Sequence, residues 1–163
     1  MRPFIVDIPR KIVQTEDYFM LYTEDPGGSR IISLKGKTPL DRAPSFAGTS
    51  HGYWEGNTLV INSDNFRDEY PGRINFEMSV LVTEQSRVEE RITRVSDERL
   101  LYQFTMTDPS LYSQPWSGEF TLQASPHQTY EYSCHEGNYS LPGILIGGRM
   151  QQDRLAAEND STQ

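Results

Sequence analysis

Residues 87–107 read RVEERITRVSDERLLYQFTMT, and this stretch decides the fold class. Apolar and polar side chains alternate from Arg87 to Val95 and again from Arg99 to Thr107, and the polar residues Ser96-Asp97-Glu98 lie between them. A period of two is typical of a β-strand with one buried face, because successive side chains point to opposite faces of the sheet. The stretch therefore predicts an antiparallel hairpin.

Similar segments recur along the chain. We predict a hairpin from Tyr18–Thr23 and Arg30–Leu34, and a second from His51–Trp54 and Thr58–Asn62. Further strands are predicted at Phe76–Val82, Trp116–Ala124 and Tyr130–Cys134. The stretch from Lys35 to Thr49 has little periodicity and is predicted to be a long surface connection that covers one end of a barrel. The spacing predicts an all-β fold, an antiparallel up-and-down β-barrel of about 8–10 strands.

The end of the chain changes character. Pro142 precedes the good helix formers of Arg149–Glu158, which predicts one C-terminal helix at about residues 142–158 with a frayed tail at 159–163. At 163 residues the chain fits one domain, so we expect residues 1–163 to form a single β-barrel domain.

Composition excludes several partners. The net charge of −8 argues against nucleic acid and anionic membranes, which need clustered Lys and Arg. The single cysteine, Cys134, excludes an internal disulfide, and no spacing of zinc ligands or cofactor fingerprint is present, so we expect neither metal nor cofactor. We expect a cytoplasmic protein as the sequence stands, or a periplasmic or secreted one if a signal peptide was removed. A homodimer remains an open alternative.

Strand parity selects the first candidate site residues. Val88, Glu90, Ile92 and Arg94 share a face that contains two aliphatic residues, so Glu90 and Arg94 are expected to point into the barrel and to pair. Such a pair could supply an acid, a base or an oxyanion-stabilising group to a pocket. It could equally be a structural ion pair that closes one end of the barrel.

His51, Tyr53 and Glu55 share one face of a predicted strand, within about 7 Å of their neighbours along it. His51 is the candidate general base, because the ordinary pKa of histidine lies near neutrality. The alternative is a surface histidine or one that is hydrogen-bonded in the packing.

The expected ligand-binding residues are mostly aromatic. They are Tyr53, Trp54, Trp116, His135, Glu136 and Tyr139. A catalytic dyad of Cys134 with His135 is disfavoured, because adjacent residues of a strand point to opposite faces.

Several motifs together resemble a family of bacterial proteins of unknown function. They are His51-Gly52-Tyr53-Trp54-Glu55-Gly56-Asn57-Thr58-Leu59-Val60-Ile61, Glu90-Arg91, Thr107-Asp108-Pro109, Pro115-Trp116 and Tyr130-Glu131-Tyr132-Ser133-Cys134-His135-Glu136-Gly137-Asn138-Tyr139. The similarity spans about Lys11 to Arg149, and Asn57 stands where the family usually has Asp. The family supplies no reaction. Its plan, a meander with a C-terminal helix, is similar to lipocalin-like (calycin) barrels, which implies a pocket.

These features favour a cofactor-independent enzyme of lyase, isomerase or cyclase type that acts on a small, largely apolar metabolite by proton transfer in the barrel cavity. His51 or Glu90 would move the proton, and Arg94 or a tyrosine would stabilise developing negative charge. The alternative is a binding protein that holds a small hydrophobic molecule without reaction. A third interpretation, an aromatic surface that recognises another protein, fits less well because the apolar positions alternate inward.

Overall fold

The strands form one large curled sheet and a separate small ribbon. The computed structural model describes residues 10–24, 29–36, 43–67, 72–73, 79–130 and 136–160. The elements in this part of the chain are β1 (Arg10–Gln14), β2 (Tyr18–Thr23), β3 (Ser29–Leu34), β4 (Thr49–Glu55), β5 (Thr58–Asp64), β6 (Gly72–Arg73), β7 (Ser79–Val80), β8 (Arg87–Arg94), β9 (Arg99–Thr107), β10 (Trp116–Gln123) and α1 (Ser140–Asp160). Eight strands form one sheet in the order β1-β2-β3-β4-β5-β8-β9-β10, and β6 pairs with β7.

The large sheet is mixed. Strands β3 and β4 run parallel, with Ser33 opposite His51 and Leu34 opposite Gly52, while the other pairs of the described sheet are antiparallel. Parallel neighbours need a crossover of about a dozen residues or more, and residues 35–48 provide it. The prediction of a strictly antiparallel, up-and-down sheet is therefore wrong at this pair, because β4 begins at the same end of the strands as β3.

The sheet curls until strands that are distant in its order face one another. Phe19 and Leu21 of β2 pack in one core cluster with Tyr102 and Phe104 of β9, although β3, β4, β5 and β8 lie between these strands. The result is a half-barrel. At this level the prediction of a mostly β, barrel-like fold with one C-terminal helix is confirmed.

The inner face of the half-barrel is largely apolar along its centre. Its central row across β3, β4, β5, β8 and β9 consists of Leu34, Gly52, Ile61, Glu90 and Phe104, all of them buried. Gly52 permits a close approach here, because a Cβ atom at this position would lie 2.8 Å from Cγ2 of Ile32. One carboxylate, Glu90, therefore lies in a row that is otherwise suited to a hydrocarbon core.

The outer face carries the polar side chains of the alternating strands. Its matching row consists of His51, Asn62, Glu89, Thr105 and Ser117, which are exposed or half-buried. The hydroxyl groups of Thr105 and Ser117 lie 2.8 Å apart in a cross-strand hydrogen bond. Stabilisation on this face comes from polar pairs in contact with solvent.

Most predicted strands are confirmed, with three differences. Strand β1 was not predicted. Of the predicted strand at 76–82, residues 74–78 lie outside the described part of the chain, and β7 covers only Ser79–Val80. Of the predicted strand Tyr130–Cys134, Tyr130 is not in a strand and the remaining residues lie outside the described part.

The chain divides into two compact units, Met1–Tyr130 and Glu131–Gln163, and α1 belongs to the second. The expectation of a single domain stays a prediction. The start of α1 is explained by local hydrogen bonds: the backbone N–H of Ser140 donates to the side chain of Asn138 at 3.1 Å, and Gly137 has a φ of 75°. The helix spans Ser140–Asp160, two residues longer at each end than predicted, and residues 161–163 of the predicted tail lie outside the described part of the chain. No helix in the described part of the chain has the length and apolar character that crossing a membrane requires.

Candidate functional site

The inner face holds a buried group of polar side chains that we call the inner cluster: Arg30 of β3, Glu90 of β8 and Tyr102 of β9. Nη2 of Arg30 donates to Oε2 of Glu90 at 2.7 Å, and the hydroxyl group of Tyr102 donates to Oε1. The side chain of Glu90 is 0 % exposed and that of Arg30 is 11 % exposed. Because β4 and β5 separate β3 from β8 in the sheet, the ion pair crosses the interior of the half-barrel.

Burial keeps the hydroxyl group of Tyr102 protonated. It raises the pKa of Tyr102 well above its ordinary value, and the negative charge of Glu90 adds to the effect, so Tyr102 is a neutral donor. Arg10 of β1 lies near enough to interact electrostatically with Glu90 and Tyr102. Burial lowers the pKa of Arg10, and the electrostatic interactions with Tyr102 and Glu90 act in the opposite direction. A guanidinium stays protonated even with a lowered pKa, so Arg10 brings a second positive charge to this region.

Some buried donors of the inner face have no acceptor. Within the described residues, Nε and Nη1 of Arg30 and Nε1 of Trp116 are buried without a hydrogen-bond partner. A buried N–H group that forms no hydrogen bond costs about 1–3 kcal/mol, and more when it is charged. Each of these groups is therefore an unsatisfied donor on the inner face.

The inner face is only partly covered along β10. Trp116, Phe120 and Leu122 point inward but are only half-buried, whereas the inward side chains of β9 from Tyr102 onward are buried. The ring of Phe120 lies 4.7 Å from that of Tyr102, centroid to centroid, so the half-covered region adjoins the inner cluster. An apolar molecule that binds to the described part of the inner face would contact these side chains.

The predicted pairing of Glu90 with Arg94 is wrong. Arg94 shares the inward parity, but it is the last residue of β8, and its guanidinium reaches back into solvent to bind Asp97 at 2.9 Å. Its side chain is 64 % exposed. Arg30, which was not among the predicted site residues, forms the ion pair with Glu90 that was expected of Arg94.

His51 and Glu90 lie on opposite faces of the sheet and cannot contact one small molecule together. His51 is exposed and lines an open pocket of about 330 Å³ on the outer face. The residues around this pocket are His51, Asn62, Ser63, Asp64, Arg87, Val88, Glu89, Thr105 and Thr107. The structure therefore separates the two proton-transfer candidates of the sequence analysis by the thickness of the sheet.

The predicted ligand-binding residues are also dispersed. Tyr53 and Trp54 are 47 % and 45 % exposed near the end of β4. Trp116 packs against the core cluster of Tyr102 and Phe104 and also against a second buried cluster formed by Phe66, Val82, Val88 and Met106. Glu136 and Tyr139 are exposed and belong to the second compact unit, so they are described separately from the sheet. His135 lies outside the described residues.

A second buried carboxylate has a structural role. Asp108, directly after β9, accepts hydrogen bonds from the hydroxyl groups of Thr83, Ser86 and Ser110 at 2.6–2.7 Å and from the backbone of Ser110. Burial would raise the pKa of Asp108, but the hydrogen bonds from Ser110, Ser86 and Thr83 outweigh it and hold the pKa well below its ordinary value. Its oxygens are fully engaged in joining two loops.

Parity could have found the residues that were missed. Arg30 lies on the same face of its strand as Ile32 and Leu34, and Tyr102 lies on the same face as Phe104 and Met106. Both are therefore inward by the argument that selected Glu90. The contact of Arg30 with Glu90 depends on the curl of the sheet, which the alternation does not specify.

The described residues contain no group of three or more His, Cys, Asp or Glu side chains arranged to hold a metal ion. Comparison with protein-family models, with curated proteins and with solved structures found no match to this chain.

Proposed function

We propose that this chain binds a small, largely apolar molecule on the inner face of its curled sheet, beside the inner cluster. The observation that carries the proposal is the fully buried Glu90, hydrogen-bonded to Tyr102 and ion-paired to Arg30 in the middle of an apolar core. Burying an ion pair costs several kcal/mol of desolvation per ion, and hydrophobic residues of similar volume are often as stable or more so. An ion pair kept at this cost is a candidate for a role other than stability.

The half-covered strip along β10 supports the proposal. Trp116, Phe120 and Leu122 offer aromatic and aliphatic surface next to the inner cluster, which is the combination of apolar lining and few polar groups typical of small-molecule sites. A lipocalin-like plan, in which a curled β-sheet encloses a ligand, is the finer fold that we propose with it.

Binding is favoured over catalysis by the engagement of Glu90. Both of its oxygens already accept a hydrogen bond, and a carboxylate held in this way is a poor general base. His51, the other candidate base, faces the opposite side of the sheet.

The test is titration of the protein with N-phenyl-1-naphthylamine, an uncharged dye whose fluorescence rises in apolar sites. We expect a saturable rise, and we expect Leu122→Glu to weaken binding at least tenfold, because a charge would enter the apolar site. The matched control is Gln123→Glu, which adds the same group one residue later on the outer face. Absence of saturable binding, or equal losses in the two variants, would contradict the proposal, provided that urea unfolding shows both variants folded.

A second candidate is the proton-transfer enzyme of lyase, isomerase or cyclase type, and one contact favours it. The hydroxyl group of Tyr102 is hydrogen-bonded to Glu90, so the oxygen of Tyr102 could take a proton from a bound molecule while its own proton passes to Glu90. Incubation with a bacterial metabolite extract, followed by untargeted mass spectrometry, separates the candidates. Compounds that the wild type consumes and Tyr102→Phe does not consume indicate catalysis. Compounds that stay bound to the protein in chemically unchanged form indicate binding.

A further inference from the structure

Arg30 has N–H donors on the inner face that form no hydrogen bond within the described part of the chain. It lies opposite Leu21 on the β2–β3 hairpin and uses Nη2 for Glu90 at 2.7 Å. Nε and Nη1 are buried and have no acceptor within the described residues. A guanidinium presents five N–H groups in a fixed planar fork, so these atoms have defined directions in which an acceptor would fit.

We propose that the molecule bound by the inner face is a monocarboxylic acid with an apolar body, and that its carboxylate accepts hydrogen bonds from the N–H groups of Arg30 that Glu90 leaves unused. This inference rests on the proposed binding function and names the ligand class. The apolar body lies against the half-buried side chains of β10, among them Phe120 and Leu122.

Charge and shape select a carboxylate. The planar fork of arginine matches a carboxylate, and hydrogen bonds between charged partners are roughly twice as strong as neutral ones. Nε and Nη1 of Arg30 remain for an anion, and the neighbouring Tyr102 is neutral. A phosphate monoester would carry about −1.5 to −2 charges into the same buried space, with a larger cost of desolvation.

The test uses two matched pairs of probes: decanoate against 1-decanol, and 4-butylbenzoate against 4-butylbenzyl alcohol. Each competes with N-phenyl-1-naphthylamine on the full chain at pH 7. We expect each acid to bind at least tenfold more tightly than its alcohol, because two charge-assisted hydrogen bonds replace neutral ones. This comparison is made on the wild type and needs no variant.

Arg30→Gln is expected to remove the preference for acids, and Arg30→Lys to restore part of it, because an ammonium keeps the charge without the fork. Arg94→Gln is the control, since Arg94 is exposed and paired with Asp97, and it should keep the full preference.

The outcomes distinguish this inference from the proposed function. Dye displacement by alcohols and acids with equal affinity would overturn the carboxylate inference and leave apolar binding intact. A dye that does not bind at all would overturn both. A preference for acids that is unchanged in folded Arg30→Gln would overturn the role of Arg30.

Discussion

Glu89 and Glu90 are neighbours on β8, and they lie in opposite environments. Glu89 exposes 46 % of its side chain on the outer face and approaches Arg91 at 3.8 Å, whereas Glu90 is 0 % exposed and has a donor on each oxygen. On the outer face, solvent stabilises each charge and a partner adds little. On the inner face, protein groups must supply all the stabilisation. Two identical side chains therefore differ because one step along a strand changes the face.

The largest difference is expected from removing each carboxylate charge. Glu90→Gln leaves the guanidinium of Arg30 buried without its counter-charge, so we expect a loss of about 3–5 kcal/mol in the free energy of unfolding. Glu89→Gln should change it by less than about 0.5 kcal/mol. Urea unfolding followed by circular dichroism measures both, and similar losses in the two variants would contradict the assignment of faces.

The next effect concerns the two tyrosines of these faces. Tyr102→Phe removes the hydroxyl donor to Glu90 and leaves a buried oxygen unsatisfied, which should cost about 1–3 kcal/mol. Tyr53→Phe, on the exposed outer face, should leave the urea midpoint unchanged. A midpoint for Tyr102→Phe equal to that of the wild type would show that the hydrogen bond contributes nothing.

Asp108 sharpens the comparison, because this buried carboxylate is satisfied by hydroxyl groups and not by a guanidinium. Its pKa is lower in the folded protein than in the unfolded chain, so its stabilisation is fully present above about pH 4 and is lost as the pH falls through the lowered folded value. Asp108→Asn should reduce the steepness with which stability falls below about pH 4. An acid-unfolding curve with the slope of the wild type would argue against the hydrogen bonds to Thr83 and Ser86.

The smallest effect is expected at Arg94. Its bond to Asp97 joins two exposed side chains, so Arg94→Gln should not shift the urea midpoint measurably. A large loss would indicate that Arg94 reaches the interior after all, as the sequence had suggested.

The alternation of residues predicted much of the fold. It located β2 to β5 and β8 to β10, the inward direction of Glu90 and the helix near the C-terminus. Strand β1 was missed because the burial of RKIVQ does not alternate: Arg10 is half-buried and the residues that follow it are exposed. The parallel pairing of β3 with β4 depends on the path of residues 35–48, which carries no periodic signal.

The candidate site was harder to predict, because parity acts along one strand and the partners of Glu90 come from others. Arg94 was selected as its partner by proximity in the sequence, whereas Arg30 reaches Glu90 across the interior. His51 was grouped with Glu90 by chemistry, although the register pairs it with Asn62 on the other face. Sheet curvature, which no local pattern encodes, decides which inward side chains meet.

A double-mutant cycle between Arg30 and Glu90 tests the central claim most directly, namely that these two residues of non-adjacent strands meet inside the half-barrel. Stabilities of Arg30→Gln, Glu90→Gln and the double variant should give a coupling energy of about 1–3 kcal/mol, while the matched cycle of Arg94→Gln with Glu90→Gln should give none that can be measured. A negligible coupling between Arg30 and Glu90, or a larger one between Arg94 and Glu90, would contradict the account.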